Sequence, residues 1–298
     1  MDSATPALDL LRSARKVGLV LSGGSSRCSF QVGVIEILHE IGIDPALSVA
    51  VSGGVWNGAA VSTGAVPRLR QYWRAFTRMP HVDVRGLLRE HTPYRFTEMH
   101  RRTFGRYIGA ERLRRPEAKP LWVGVTRLRD RQGTFFDART AEDPLALCLA
   151  SNYMPPFYTH APRLDGERYG DGGLADNLPY EKAFAEGCDA VVLITMKGES
   201  EGGLYQGPND PDHVIPAPFR ERTVVIRPRH RPPCRFVDRR WEVLSLMMDL
   251  GRLRAREVLL GELHPETEAR AEMGALNAAF RRLMLTRVLA TATRKVSP

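Results

Sequence analysis

Three short stretches bring together the residue types that acyl chemistry requires. In ALSVAVSGGVWNGAA (46–60) a charge-free apolar run through Leu47, Val49 and Val51 ends at Ser52, followed by Gly53 and Gly54. A hydroxyl at a strand end, with small residues two before (Ala50) and two after (Gly54), fits a nucleophile on a sharp strand-to-helix turn. A plain β-turn is the alternative, since Ser and Gly punctuate loops generally. In SGGSSRC (22–28) consecutive backbone amides lie between an apolar strand and a helical pattern, at the positive end of a helix, where an anion can be held. Neither phosphate-loop spacing is present, which leaves the other use of such amides, an oxyanion hole. In YGDGGLADNLP (169–179) Asp171 precedes Gly172 and Gly173, so its carboxylate can approach another backbone closely. Asp-Gly is also a good turn former in its own right. A serine, an amide loop and an aspartate together are the parts of an acyl-transfer site.

The elements that must position these parts follow from apolar periodicity. From Val17 the order reads strand, glycine loop, helix, strand, serine turn, helix. Phe30, Val34, Ile37 or Leu38, and Ile41 recur at helical spacing, and Gly42 stands where a helix stops. Leu121–Leu128 and Gly133–Ala138 read as neighbouring strands, and Pro144–Ser151 as a helix before the Pro155-Pro156 break. Ala190–Met196 is a continuous β-branched run of the kind buried on both faces of a parallel sheet, and Arg222–Pro228 is one more strand. Alternating strands and helices predict a three-layer α/β/α architecture with a central, mostly parallel sheet. Gly198–Pro218, rich in Gly, Pro and Asp, reads as a mobile surface loop. The chain from Trp241 reads as two long helices separated near His264-Pro265.

GLVLSGGSSRCSFQVGVIEIL, VAVSGGVWNGAA, LASNYMPPF and RYGDGGLADNLP resemble, in this order, the blocks of the patatin-like phospholipase family. The likeness covers roughly residues 17–196, and DGGLADNLP is its most specific block. The resemblance implies a Ser–Asp dyad on an α/β fold, cleaving acyl esters of lipids with no metal or other cofactor. It makes Ser52 the nucleophile and Asp171 the base. It makes the Gly23, Gly24 and Ser25 amides, with Arg27 nearby, the oxyanion loop. The nucleophile turn is then Ala50, Gly53 and Gly54, and the dyad loop Gly172 and Gly173. The chain departs from the family pattern at Ser25 and Cys28, where glycine is usual, and at Ala50, the first position of the serine turn. Ser25 is hindered if its position needs a positive φ.

The 298 residues, 43% hydrophobic and 26% charged, hold ample material for a core and are read as a single domain over 1–298. Cys28, Cys148, Cys188 and Cys234 form no CxxC pair, which fits reduced thiols and a cytoplasmic setting rather than a zinc or redox motif. The polar N-terminus lacks a signal-peptide core, and the charge-free stretch 45–67 has too much Gly, Ser, Thr and Asn for a membrane span. Net charge is +9, and residues 68–115 alone carry thirteen arginines against four acidic residues, so the remainder sums to zero. Seven aromatics share that segment, from Tyr72 to Tyr107. The patch predicts peripheral contact with an anionic membrane surface, a solvated helical face being the alternative. No nucleic-acid-binding signature accompanies it, so no nucleic-acid partner is expected. The eight histidines show no HExxH, and none downstream of Ser52 stands in a strand-end or glycine-bounded setting, so none is expected to be the base. The expected function is phospholipase A or lysophospholipase activity. The competing expectation is a catalytically weak protein of the same fold that binds acyl lipid or a partner.

Overall fold

Apolar runs of four to seven residues supply most strands of one sheet, with a two-residue strand and a polar strand at one edge, in a computed structural model that describes residues 5–84, 92–159 and 162–262. The strands are β1 (Val17–Leu21), β2 (Leu47–Val51), β3 (Leu121–Arg127), β4 (Gly133–Asp137), β5 (Arg163–Leu164), β6 (Glu167–Asp171), β7 (Ala190–Ile194) and β8 (Thr223–Ile226). Their order is β5-β6-β3-β2-β1-β7-β8, with β4 also paired to β3. The β3-β2-β1-β7-β8 stretch is parallel throughout. Its residues alternate between two cores. Leu19, Leu21, Val192 and Ile194 face a large helical layer, and Val20, Val49, Val191 and Leu193 face a thinner one. The expected three-layer, mostly parallel sheet is therefore the architecture of the described residues.

One feature of this sheet decides the geometry of the site. Val125 and Thr126 of β3 each pair with β4 on one side and with β6 on the other. Residues 122–124 of β3 pair with β4 and with β2, so β2 and β6 share the same edge of β3. Strand β2 runs parallel to β3 and β6 antiparallel, so the two run toward each other along that edge and meet at their C-terminal ends. Val51 pairs with Gly124 and Asp171 with Val125. The residue after β2 is Ser52, and the last residue of β6 is Asp171.

The helices are α1 (Pro6–Ser13), α2 (Ser29–Glu40), α3 (Gly54–Ser62), α4 (Leu69–Arg78), α5 (Phe96–Tyr107), α6 (Ala110–Leu113), α7 (Pro144–Ala150), α8 (Tyr180–Ala185), α9 (Ala217–Arg220) and α10 (Trp241–Leu260). The second expected C-terminal helix lies outside the described residues. Within the arginine-rich segment, Tyr72, Trp73, Phe76, Phe96 and Phe104 are buried, whereas Arg74, Arg78, Arg101, Arg102 and Arg106 are exposed. The aromatics are thus core residues of two amphipathic helices, and the charge is their solvated face. Gly198–Pro218 is pinned rather than free, because Leu204 and Ile215 are buried and Leu204 pairs with His213.

Helices α2 and α10 cross almost backbone to backbone. A Cβ on Gly33 would stand 1.8 Å from the Met248 carbonyl oxygen, and one on Gly251 would stand 2.1 Å from that of Phe30. Gly33→Ala is therefore expected to lower unfolding free energy by about 3 kcal/mol or more, since backbone cannot yield as a side chain does. Gly105→Ala, in α5 with open space around it, is expected instead to add up to about 1 kcal/mol. Urea unfolding of the two variants checks both signs.

Candidate active site

Ser52 occupies the left-handed region, with φ +51°. A β-carbon there carries strain that neighbours must hold. The Ser52 amide donates to Ser151 Oγ (2.8 Å), and that hydroxyl donates in turn to the Gly124 carbonyl (2.6 Å). The Ser52 carbonyl accepts from Asn152 Nδ2 (3.1 Å) and from the Val55 amide (3.1 Å). Ser151 and Asn152, immediately after α7, thus grip both sides of the turn. Gly54 is required because a Cβ there would meet the Leu21 and Ser22 carbonyls at 2.6 and 2.8 Å. Ala50 is accommodated by a second glycine, since a Cβ on Gly58 would come within 3.2 Å of the Ala50 methyl.

Asp171 Oδ2 accepts a hydrogen bond from Ser52 Oγ at 2.7 Å, and Oδ1 accepts from the Gly173 amide at 2.8 Å. The approach depends on Gly172, where a Cβ would lie 2.2 Å from the Gly124 oxygen. Both partners are buried, Ser52 6% and Asp171 7% exposed. Burial pushes the Asp171 pKa up to about 6, opposed by the hydrogen bonds from Ser52 and Gly173. Among the described residues no cation pairs with it. A carboxylate made basic by desolvation and touching a hydroxyl is poised to take that hydroxyl's proton.

The glycine loop differs in one respect from expectation. The Gly23 amide is already committed to Asn177 Oδ1 (2.8 Å), so it is not available to an oxyanion in this arrangement. The Ser26 amide donates to Phe236 O and that of Arg27 to Gly24 O. Among the described residues the Gly24, Ser25 and Gly53 amides have no partner. Ser25 does sit at positive φ (+50°), the strained condition its substitution for glycine raised. Cys28 is buried, with its Sγ directed to the Ser22 carbonyl. Arg27 is tied through Nε to Cys234 O (3.1 Å), which sets its guanidinium in the wall of the cavity.

That cavity, about 570 Å³, opens over Ser52 and Asp171. Met154, Pro155 and Met196 line it, and Leu128, Leu174, Tyr205 and Phe236 stand at its rim, each more than a third exposed. Tyr205 and Pro211 come from the 198–218 loop, held by hydrogen bonds from Asn177 to Gln206 O and Tyr205 O. Among the described residues no histidine bonds to Ser52 or Asp171. His213 is engaged with Tyr180 and Asp210, His230 is exposed, and His264 lies outside the described residues. His100 is buried and stacked on Trp56, and burial lowers its pKa to about 3. No group of metal-ligating side chains exists among the described residues. Sequence reasoning did not single out Ser151, Asn152, Asn177 or Gly58. The first two lie in LASNYMPPF and Asn177 in DGGLADNLP, blocks whose resemblance was the only signal for them.

Ser151→Ala leaves the buried Ser52 amide without its acceptor. It is expected to cost about 1–3 kcal/mol of stability in urea unfolding. It is also expected to slow reaction of Ser52 with a fluorophosphonate by about ten-fold or more, because the turn is no longer held.

A family profile described as Patatin-like phospholipase matches residues 19–184, more than half of the chain. Uncharacterized NTE family proteins of Mycobacterium tuberculosis and Mycobacterium bovis are 22% identical over 197 residues, covering 64% of this chain and 51% of theirs. The chain therefore spans about half the length of the curated relatives it matches. Among solved structures, VipD from Legionella pneumophila is similar, with a TM-score of 0.49 and 13% identity, over 82% of this chain and 66% of that one. ExoU in its complex with SpcU from Pseudomonas aeruginosa matches with a TM-score of 0.38 and 15% identity, over 93% and 61% of the two chains. With the profile spanning both the serine turn and the Asp171 loop, the chain belongs to the patatin-like phospholipase family.

Proposed function

We propose that this chain is a lipid acyl hydrolase working through a Ser52–Asp171 dyad. The observation that carries the reading is the 2.7 Å contact between Ser52 Oγ and a desolvated Asp171, at the floor of a largely apolar cavity. Asp171 takes the hydroxyl proton as Ser52 Oγ attacks the ester carbonyl. The negative charge that develops on the carbonyl oxygen is held by the unpartnered Gly24, Ser25 and Gly53 amides, with Arg27 adding its positive field. Asp171 then gives the proton to the departing alcohol, leaving an acyl-serine. Water enters, loses a proton to Asp171 and attacks the acyl carbon; as the tetrahedral species collapses, the proton returns to Ser52 and the carboxylic acid leaves.

The apolar walls suit an alkyl chain, which supports phospholipids or lysophospholipids as substrates. The exposed apolar rim and the arginine excess of residues 68–115 support peripheral contact with an anionic membrane from the cytoplasmic side, by one domain spanning the chain. Among the described residues no helix is long and apolar enough to cross a membrane. Ser25 at positive φ favours the second reading, a catalytically weak acyl-lipid binder, since a strained loop holds the oxyanion less firmly.

Ser52→Ala is expected to abolish both ester hydrolysis and fluorophosphonate labelling with an unchanged circular dichroism spectrum. Asp171→Asn keeps the shape but cannot accept the proton, and is expected to lower kcat by about 10²–10⁴-fold. Turnover by Ser52→Ala at the wild-type rate rejects the mechanism. Labelling that is absent in the wild type favours the binding protein.

Asp171 also makes pH dependence a two-sided test. Activity requires the carboxylate, so kcat/KM should rise with pH through about 6 and level off above it. Stability runs the other way. The folded state holds this proton more tightly than the unfolded chain does, with a pKa of about 6 against 3.8. The resulting stabilisation is complete below 3.8 and lost as pH rises through 6. Asp171→Asn should therefore be more stable than wild type at pH 8, by up to about 3 kcal/mol, with the gain vanishing near pH 4. Urea unfolding at the two pH values reads it.

A further inference from the structure

A second cavity, about 430 Å³, lies at the opposite end of the sheet from Ser52 and shares no lining residue with the first. Helix α3 connects the two, since it starts two residues after Ser52 and its last residue, Ser62, lines the second cavity. Nine residues of helix place them about 13 Å apart along its axis. The loop entering β2, with Ile43, forms another wall, whereas Ser52 follows the exit of the same strand.

The lining divides by chemistry. Leu38, Ile43, Val61 and Val66 make an apolar interior, and Arg112 and Arg115 stand on one side. Lys119 is ion-paired with Asp44, so those charges answer each other. Among the described residues neither the Arg112 nor the Arg115 guanidinium has a hydrogen-bond or ion-pair partner, and Glu117, which also lines the cavity, is exposed and pairs with neither. Helices α2 and α3 both end at this cavity, and their carbonyl ends oppose negative charge on that side. An anionic head is therefore favoured only at the two arginines, with an uncharged chain toward the helix ends. The volume lies in the range of small-molecule sites.

We infer that this cavity is a second binding site, for a long-chain carboxylate whose head meets Arg112 and Arg115 and whose alkyl chain fills the apolar interior. A free fatty acid is what the proposed hydrolysis releases; that identification of the source rests on the proposed function, but the site does not.

The test titrates the full chain carrying Ser52→Ala with a fluorescent sixteen-carbon carboxylate. The reference is the same protein with Arg112→Glu and Arg115→Glu added. Charge reversal is expected to weaken one class of bound carboxylate by about ten-fold or more, the loss of charge-assisted hydrogen bonds. The neutral alcohol of equal chain length should bind that class as weakly. Thr63→Trp, at the cavity mouth, should block it without touching charge, which guards against a misfolded double variant. Placed in the wild-type chain, the arginine changes should leave turnover of a short soluble ester within about two-fold, as distant sites act independently. Binding indifferent to both the arginines and Thr63→Trp, or an alcohol that binds as tightly as the acid, overturns the site. Carboxylate binding lost on arginine reversal in a chain with no esterase activity keeps the site and removes the hydrolase.

Discussion

The structure is organised around a carboxylate buried against a hydroxyl with no cation paired to it among the described residues. Burial withholds the water that would otherwise stabilise the Asp171 carboxylate, and this raises its pKa. What the protein offers instead is one hydroxyl and one backbone amide. That compromise keeps the group basic enough to accept a proton, which a salt bridge to arginine would prevent. Its cost falls on the remainder of the fold, which must hold two chain ends together in a dry place. The large core beneath α2, α3 and α10 supplies the stability that offsets it.

The sheet solves the positioning problem by topology rather than by a long side chain. A histidine in a triad bridges several ångströms between serine and acid, whereas a direct dyad must bring two backbones close. Here β2 and β6 converge on one edge of β3, and glycines open the tight places. Gly172 meets the Gly124 backbone, Gly54 meets the backbone at the end of β1, and Gly124 makes room for the Val51 side chain. Residual strain at Ser52 is held by Ser151 and Asn152, whose own hydrogen bonds lead back to β3 and α7. The loop carrying one wall of the cavity over Ser52 and the clamp on the serine turn are therefore one segment, 151–155.

Much of this was legible in the linear chain, and the reasons for success and failure are physical. Strand runs such as Ala190–Ile194 are buried on both faces, so their composition alone marks them. Ser52, Asp171 and the glycine loop stood out because small residues around a reactive group have few other uses. Asn177 did not stand out, although it occupies the Gly23 amide and so redraws the candidate oxyanion hole. An asparagine near a turn has many local roles, and only the fold shows that its partner lies 154 positions away. Gly58 was equally silent, because its importance depends on Ala50, a residue on a different element. Pairing across the sheet, and therefore the head-on meeting of β2 and β6, leaves no trace in local periodicity.

The arginine-rich segment shows how composition leaves open an arrangement that only the fold sorts out. Interleaved aromatics suggested a surface that presents rings and charges together. In the fold the two are sorted by helical periodicity. Tyr72, Trp73 and Phe76 turn inward on α4, while Arg74 and Arg78 turn outward. The rings serve packing, with Phe76 and Trp56 stacked against the neutral His100. Val82 and Val84 are exposed within this segment, and a second group of exposed apolar side chains, Leu128, Leu174, Tyr205 and Phe236, stands around the mouth of the cavity. Those four residues come from four separate loops, so no window of sequence contains them. Charge acts over roughly a Debye length, about 10 Å at 0.1 M salt, whereas apolar contact needs the surfaces to touch. Under the membrane contact proposed above, arginines at a distance would orient the molecule and the rim would make the contact. Under the same proposal the cavity over Ser52 is the point of closest approach, which is where an alkyl chain leaving a bilayer would have the least water to cross.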